Sequence, residues 1–292
     1  MQKNKSLDLS LILQGPKSIS SENVLKLFHY THDSKKDLIV GENRVVFQLS
    51  RVDEFLDKNE GFQILEPYYH ACGQLYDDGD INKPFYEQLI SIKQKDLFDK
   101  FVGSWVLCFS KNGNSKFLKR RYAAGNGWIL GINFDCLDDI AIELPEGYGS
   151  CYLYEVKYSL RGIIQELRNA LKKYFTHYVQ RDPSNNGDSI KQDIVEWLCQ
   201  YSLIYKNQDY KYEEEIRLVC KFKSDFSVWE DTSRGIRFET SINGYSPMVK
   251  MILDKRHLIY ETQKIDVCFD TKLNKSMLCR DEIQKVFKKW LK

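Results

Sequence analysis

Two hydrophobic periods divide the chain. From about residue 22 to about residue 158, short apolar runs rich in β-branched and aromatic residues alternate with helical stretches. The candidate strands are 44–49, 102–110, 128–134 and 151–158, each bounded by Gly, Asn or Pro turns. The period then changes. Leu160, Ile163, Ile164, Leu167, Leu171, Tyr174, Phe175 and Tyr178 recur at i, i+3, i+4 and i+7, one apolar stripe of a helix. Arg181 to Asp188 (RDPSNNGD) breaks that helix, and Ser189 with Gln192 reads as a capping box opening a second one to about Tyr205. Its apolar positions, Ile190, Ile194, Trp197, Leu198 and Tyr201, suit packing on the first as an antiparallel pair. Strands resume at 215–223, 248–253 and 265–269. A last helix, about 280–292, starts acidic (Asp281, Glu282) and ends basic (Lys288, Lys289, Lys292), as the helix dipole favours. No linker is rich enough in Pro, Gly and Ser to mark a boundary. The expectation is one mixed α/β (α+β) domain over 1–292, with a helical hairpin inserted at about 159–205.

Composition narrows the class without choosing a partner. Of 292 residues, 42% are hydrophobic and 29% charged, enough for a real core and too apolar for disorder. No apolar run approaches the roughly 20 residues of a membrane span, and Asp8 interrupts the N-terminal apolar patch, which argues against a signal peptide. None of the eight cysteines forms a C-x-x-C pair. Several, such as Cys108 and Cys220, sit in strand-like runs as small hydrophobes, which points to a reducing, cytoplasmic setting. The formal charge of +2 selects no partner class.

Four clusters carry candidate chemistry. In Tyr212-Glu213-Glu214-Glu215-Ile216-Arg217, a strand extended two residues back would put Glu213, Glu215 and Arg217 on one face. The carboxylates would then lie roughly 7 Å apart, with Arg217 keeping one ionised; the same pattern also describes a solvated strand edge. In Phe28-His29-Tyr30-Thr31-His32, alternation puts His29 and Thr31 on one face, an imidazole and a hydroxyl able to grip one ligand, although a lone histidine is usually satisfied locally. Cys108-Phe109-Ser110 ends a strand ahead of a basic run, Lys116 to Arg121, that leads to Tyr122 and a glycine turn. Tyr122 could stack on a flat ring, and the basic run could touch phosphates or be an ordinary solvated face. Asp57 and Glu60 form a short acidic turn. Walker, Rossmann, H-E-x-x-H and G-x-S-x-G elements are absent from the sequence.

Taken in order, these pieces resemble the bacterial domain-of-unknown-function 2971 family. The shared elements are an opening HYT, a turn like NDPxE (here Leu56 to Glu60), a strand ending CFS, a helix ending YA before a glycine turn, and a late yExExR strand. The resemblance runs from about His29 to about Lys250. The chain departs from it at Leu118-Lys119, where the family has Met-Trp, and at Leu56 and Lys58 in the acidic turn. The set is also similar to the H-x-T, Tyr and E-x-E constellation of ADP-ribosyltransferases. That similarity implies an ADP-ribosyltransferase-like sheet with NAD as substrate. His29 and Thr31 would hold one ribose and Tyr122 would stack on nicotinamide, with Tyr122 or Ser110 as the middle member of the set. Glu215 would hold the other ribose and stabilise the positive charge as the glycosidic bond breaks, Glu213 would be the second catalytic carboxylate, and Tyr30, Ser110 and Arg217 would be among the residues that bind NAD. The acceptor would be a protein, a nucleic acid or water, in the setting of a toxin or phage-defence effector, with no membrane involved. Two other readings remain at this stage. One is a divalent-metal nuclease or phosphohydrolase using Asp57, Glu60, Glu213 and Glu215. The other is a non-enzymatic nucleic-acid or ligand-binding module built on Lys116 to Arg121.

Overall fold

The computed structural model describes residues 13, 15–19, 26–51, 59–101, 103–123, 126–133, 149–179, 187–222, 227–232, 235–243, 246–256 and 260–265. Asp57, the C-terminal helix at 280–292 and most of the strand expected at 265–269 lie outside them.

The fold is mixed α/β around a curled antiparallel sheet. Its pivot is β3 (Ser104–Ser110). Along one edge β3 pairs over its whole length with β6 (Glu215–Phe222), which pairs in turn with β5 (Gly149–Glu155). Its other edge is shared. Ser110 meets Phe28 of β1 (Lys26–Thr31), whereas Val106 and Trp105 meet Ser50 and Arg51 of β2 (Arg44–Arg51). The two neighbours then diverge. Strand β1 continues to β4 (Trp128–Asn133) and β10 (Tyr260–Lys264), and β2 continues to β9 (Ser246–Asp254), β8 (Ile236–Asn243) and β7 (Val228–Asp231).

Each layer follows from the sequence period. In β6, Ile216, Leu218, Cys220 and Phe222 enter a core between the two halves of the sheet, with Phe47 and Phe109. Arg217 and Val219 face the other way, toward the helices. The alternation is the expected one, but β6 is a central strand, buried on both faces except at Lys221. An ordinary solvated edge is therefore ruled out for the Glu-Arg segment.

A short helix α1 (Lys36–Ile39) leads into β2, and the helical layer proper comes from two other stretches of chain. Helices α2 (Leu65–Asp77), α3 (Lys83–Ile90) and α4 (Gln94–Phe98) share one core with α6 (Leu160–Tyr174) and α7 (Gly187–Ser202), against Val106 and Val219 of the sheet. Asn82 caps α3 by accepting from the Phe85 backbone N–H, with Pro84 in its first turn. The stripe expected for α6 is present: Ile163, Leu167, Leu171 and Tyr174 are buried.

Two local expectations change. Helix α7 begins at Gly187, so Ser189 lies inside it and is not a cap. Helices α6 and α7 do run antiparallel, since Tyr201 donates to Glu166 at 2.7 Å and Tyr174 to Asp193 at 2.8 Å. However, α6 lies closest to α2, so large side chains rather than close backbones join α6 to α7. Tyr260–Lys264 forms a further strand that the apolar pattern did not suggest, and only Ile265 of the run expected at 265–269 is among the described residues. The side chains of this strand are mostly exposed because it is an edge, and edges tolerate polar residues.

Among the described residues no helix is long and apolar enough to cross a membrane. Cys72, Cys108, Cys151, Cys199 and Cys220 are free thiols. Burial pushes Cys72 and Cys199 up to about 12, so both stay as neutral, unreactive thiols.

Candidate functional site

Where β1 and β2 part, Leu107 to Phe109 keep a strand partner on the β6 side only. Backbone polar groups left there need other partners. His29 supplies one: its Nδ1 lies 3.1 Å from the Cys108 carbonyl. A carbonyl only accepts, so Nδ1 carries the proton and Nε2 keeps its lone pair. Burial holds the imidazole below its usual pKa, so the ring is neutral. Phe47 and Phe109 pack edge-on against it and fix its plane.

A cavity of about 310 Å³ opens at this divergence, within the size range of small-molecule sites. Gln48 and Ser50 of β2 form one wall, and Phe28, His29 and Tyr30 of β1 another. Leu118, Arg121 and Tyr122 from the end of α5 (Lys116–Arg121) close it above. Glu60, Lys206, Glu213 and Glu215 form its floor. His29, Tyr122 and Glu215, separated by up to 186 positions, thus line one cleft.

The floor is a buried ion cluster. Lys206 Nζ donates to Glu213 Oε2 at 2.6 Å and to Glu215 Oε2 at 2.8 Å, and it lies 3.1 Å from Glu60 Oε1. Arg217, fully buried, donates through Nε to Glu215 Oε1 at 2.9 Å, through Nη1 to the Leu203 carbonyl at 2.8 Å, and through Nη2 to Glu60. Tyr122 donates its hydroxyl to Glu213 Oε1 at 3.0 Å, and Arg121 stands 3.8 Å from the same oxygen. Local structure explains the convergence. The backbone of Lys206 is held to Lys157, whose carbonyl accepts from Lys206 N–H at 3.1 Å. Glu215 N–H donates to Tyr158 Oη at 3.0 Å.

Burial alone would raise the Glu215 pKa. Arg217 first and Lys206 second more than reverse that, and the carboxyl is held at about 2 against an ordinary 4.5. The folded value is depressed, so this stabilisation is complete above about pH 4.5 and is lost as pH falls toward 2. We expect the urea midpoint to drop across that window, with a shallower drop in Glu215→Gln. Equal slopes in the two proteins would remove Glu215 from the account.

Several expected site residues take other roles. Strand β6 does not extend back to Glu213, which ends a 3₁₀ turn (Gln208–Glu213); Glu214 is left-handed, at φ 45°. That residue breaks the alternation, yet it still delivers Glu213 and Glu215 to one cluster and turns Glu214 outward to Asn112 Nδ2. Thr31 is buried and does not line the cavity. Arg217 lies behind Glu215 rather than on the cavity wall. Tyr30 accepts from Ser115 N–H and donates to the Asn112 carbonyl, fixing the loop that leads into α5. Ser110 does line the cavity, and it also donates to the Glu213 carbonyl at 2.7 Å and so ties β3 to the carboxylate-bearing turn. Gly127, in the turn after α5, has room for no Cβ: one would stand 2.1 Å from the Thr31 carbonyl.

Lys206, Gln48 and Ser50 were not read from the sequence. Glu60 does join Glu213 and Glu215, as the metal reading needed, but the three carboxylates turn their oxygens onto Lys206 and Arg217. Among the described residues, no group of three or more His, Cys, Asp or Glu is placed to hold a metal ion. Compared with protein-family models, with curated proteins and with solved structures, the chain matches none.

Proposed function

We propose that the chain consumes NAD, as an ADP-ribosyltransferase or an NAD glycohydrolase. The observation that carries this reading is the meeting of His29, Tyr122, Glu213 and Glu215 around one cavity at the divergence of β1 and β2. The resemblance read from the sequence supports it and suggests a toxin or phage-defence setting.

The chemistry suits the site. Nicotinamide in NAD is a flat cation, and breaking its bond to ribose spreads positive charge over the ribose C1′ and ring oxygen. Fixed carboxylates favour that charge, as in glycoside hydrolysis. Glu60, Glu213 and Glu215 bring three negative charges against the two positive charges of Lys206 and Arg217. Arg121, 3.8 Å from Glu213 at the outer side, brings the cations to three, so the carboxylates act through their fixed position rather than through a net charge. Tyr122 offers a ring for nicotinamide, and the His29 Nε2 lone pair can accept from a ribose hydroxyl.

The test is incubation of purified protein with NAD, alone and with protein or nucleic-acid acceptors, followed by assay for free nicotinamide. Release insensitive to chelator is expected. Intact NAD under all of these conditions would overturn the reading, and metal-dependent cleavage of nucleic acid would favour the nuclease. Two variants refine the role of Tyr122. Tyr122→Phe keeps the ring, so KM for NAD should stay within about 2-fold. Tyr122→Ala should raise KM about 5- to 10-fold, the worth of an aromatic contact. Equal KM values in the two variants would remove the stacking role.

A further inference from the structure

A basic segment of the chain leads to the mouth of the cavity. No acidic residue occurs between Asp99 and Asp135, and six basic ones do: Lys100, Lys111, Lys116, Lys119, Arg120 and Arg121. Lys100 is paired to Glu196 and Lys111 to Glu155, and the other four fall on α5, a helix that ends against the cavity. Its buried Leu118 anchors it, so Lys116 and Arg120 stand exposed.

Aromatic rings are interleaved with these cations. Phe117 is 40% exposed and Tyr122 41%; Tyr212, 63% exposed on the neighbouring 3₁₀ turn, lines a separate hollow with Glu66 and Asp209. Large apolar rings left in water beside the opening need a reason. Arg121 lies over Phe117, Tyr122 and Tyr210, which joins α5 to that turn through cation–π contacts. Lys211 sits over the Tyr212 ring. Phosphates and flat bases presented together match such a surface, because cations track the backbone while rings stack the bases. An acidic protein segment would use the cations and leave the rings idle.

We infer that this rim docks a single-stranded nucleic acid and that the strand is the acceptor of the ADP-ribosyl group, an inference that rests on the NAD-consuming reading above. In the transfer, the C1′–N bond of NAD breaks and its electron pair leaves with neutral nicotinamide. An oxygen or nitrogen of the strand forms the new bond to C1′, and the proton it loses passes to water.

Docking is tested without NAD, by fluorescence anisotropy with labelled single strands of about 12 nucleotides and duplexes of the same length. Single strands should bind more tightly than duplex. Neutralising about four phosphates should weaken binding about 50-fold between about 50 and 200 mM salt. Lys116→Glu with Arg120→Glu should weaken it by at least about 10-fold, and Phe117→Ala by about 10-fold. Neither change alters a side chain that lines the cavity, so nicotinamide release in the absence of nucleic acid should stay within about 2-fold of the unaltered rate.

Absent binding at low salt, duplex bound as tightly as single strand, or indifference to both variants would overturn the docking. Displacement by poly-glutamate together with a silent Phe117→Ala would reassign the rim to an acidic protein. Nicotinamide release with a bound strand that gains no ADP-ribose mass would overturn the acceptor role. Strand binding without any nicotinamide release would instead fail the NAD reading and leave the docking standing.

Discussion

Glu215→Gln is expected to lower NAD turnover by about 100- to 1000-fold, the effect of removing a preorganised electrostatic partner. Gln keeps the size and one acceptor oxygen but supplies no charge where positive charge develops. The structure adds a second consequence. Glu215 accepts from both Lys206 and Arg217, and Gln cannot balance two buried cations, so the variant should also lose stability. Turnover therefore has to be compared well below each protein's melting temperature, on samples shown to be folded. Glu213→Gln should slow turnover less, because that carboxylate also receives the Tyr122 hydroxyl and stands nearer the rim. Glu214→Gln is the control: its side chain points out to Asn112, and its effect should be smallest. If Glu214→Gln were the most damaging of the three, the site would be misplaced. Equal and small losses in all three would make the cluster purely structural.

What the sequence revealed depended on whether a local period reported the contact. The α6 stripe and the alternation of β6 were readable because each buries one regular face, and Ile163, Leu167 and Tyr174, or Ile216 and Leu218, repeat at the matching interval. The ordered spacing of His29, Tyr122 and Glu215 led to a shared cleft that the fold does form. Helix α2 was less legible, since its buried positions mix Tyr, Cys, Pro and Ala with Leu and blur the stripe, and α3 and α4 bury only Phe85 with Leu89 and Leu97, too few to repeat. Glu213 was expected on a strand and arrives instead by a left-handed turn at Glu214, which alternation cannot reveal. Lys206 had no local signal at all. It follows the buried run Leu203-Ile204-Tyr205 and is held by a backbone pairing to Lys157, 49 positions away in sequence. Its role exists only because Glu60, Glu213 and Glu215 arrive from elsewhere.

That arrangement makes Lys206 a sensitive position for folding. Lys206→Met keeps the length of the side chain and removes the ammonium shared by three carboxylates, leaving Arg217 as the deeply buried cation among them. Breaking a buried ion cluster from one side costs about 3–5 kcal/mol, because the remaining charges stay desolvated and unpaired. Burial disfavours the charged lysine, and Glu215 first among the carboxylates reverses this and raises its pKa; the ammonium is therefore the form that must be lost. Urea denaturation at neutral pH should show the loss. Adding Glu213→Gln to Lys206→Met should recover a good part of it, since one of the stranded charges goes as well. That recovery is what separates charge balance from packing: a methylene stem filling space would give additive losses. Additivity of the two changes would place Lys206 in the core as a spacer and remove the ion cluster as the organising feature of the site.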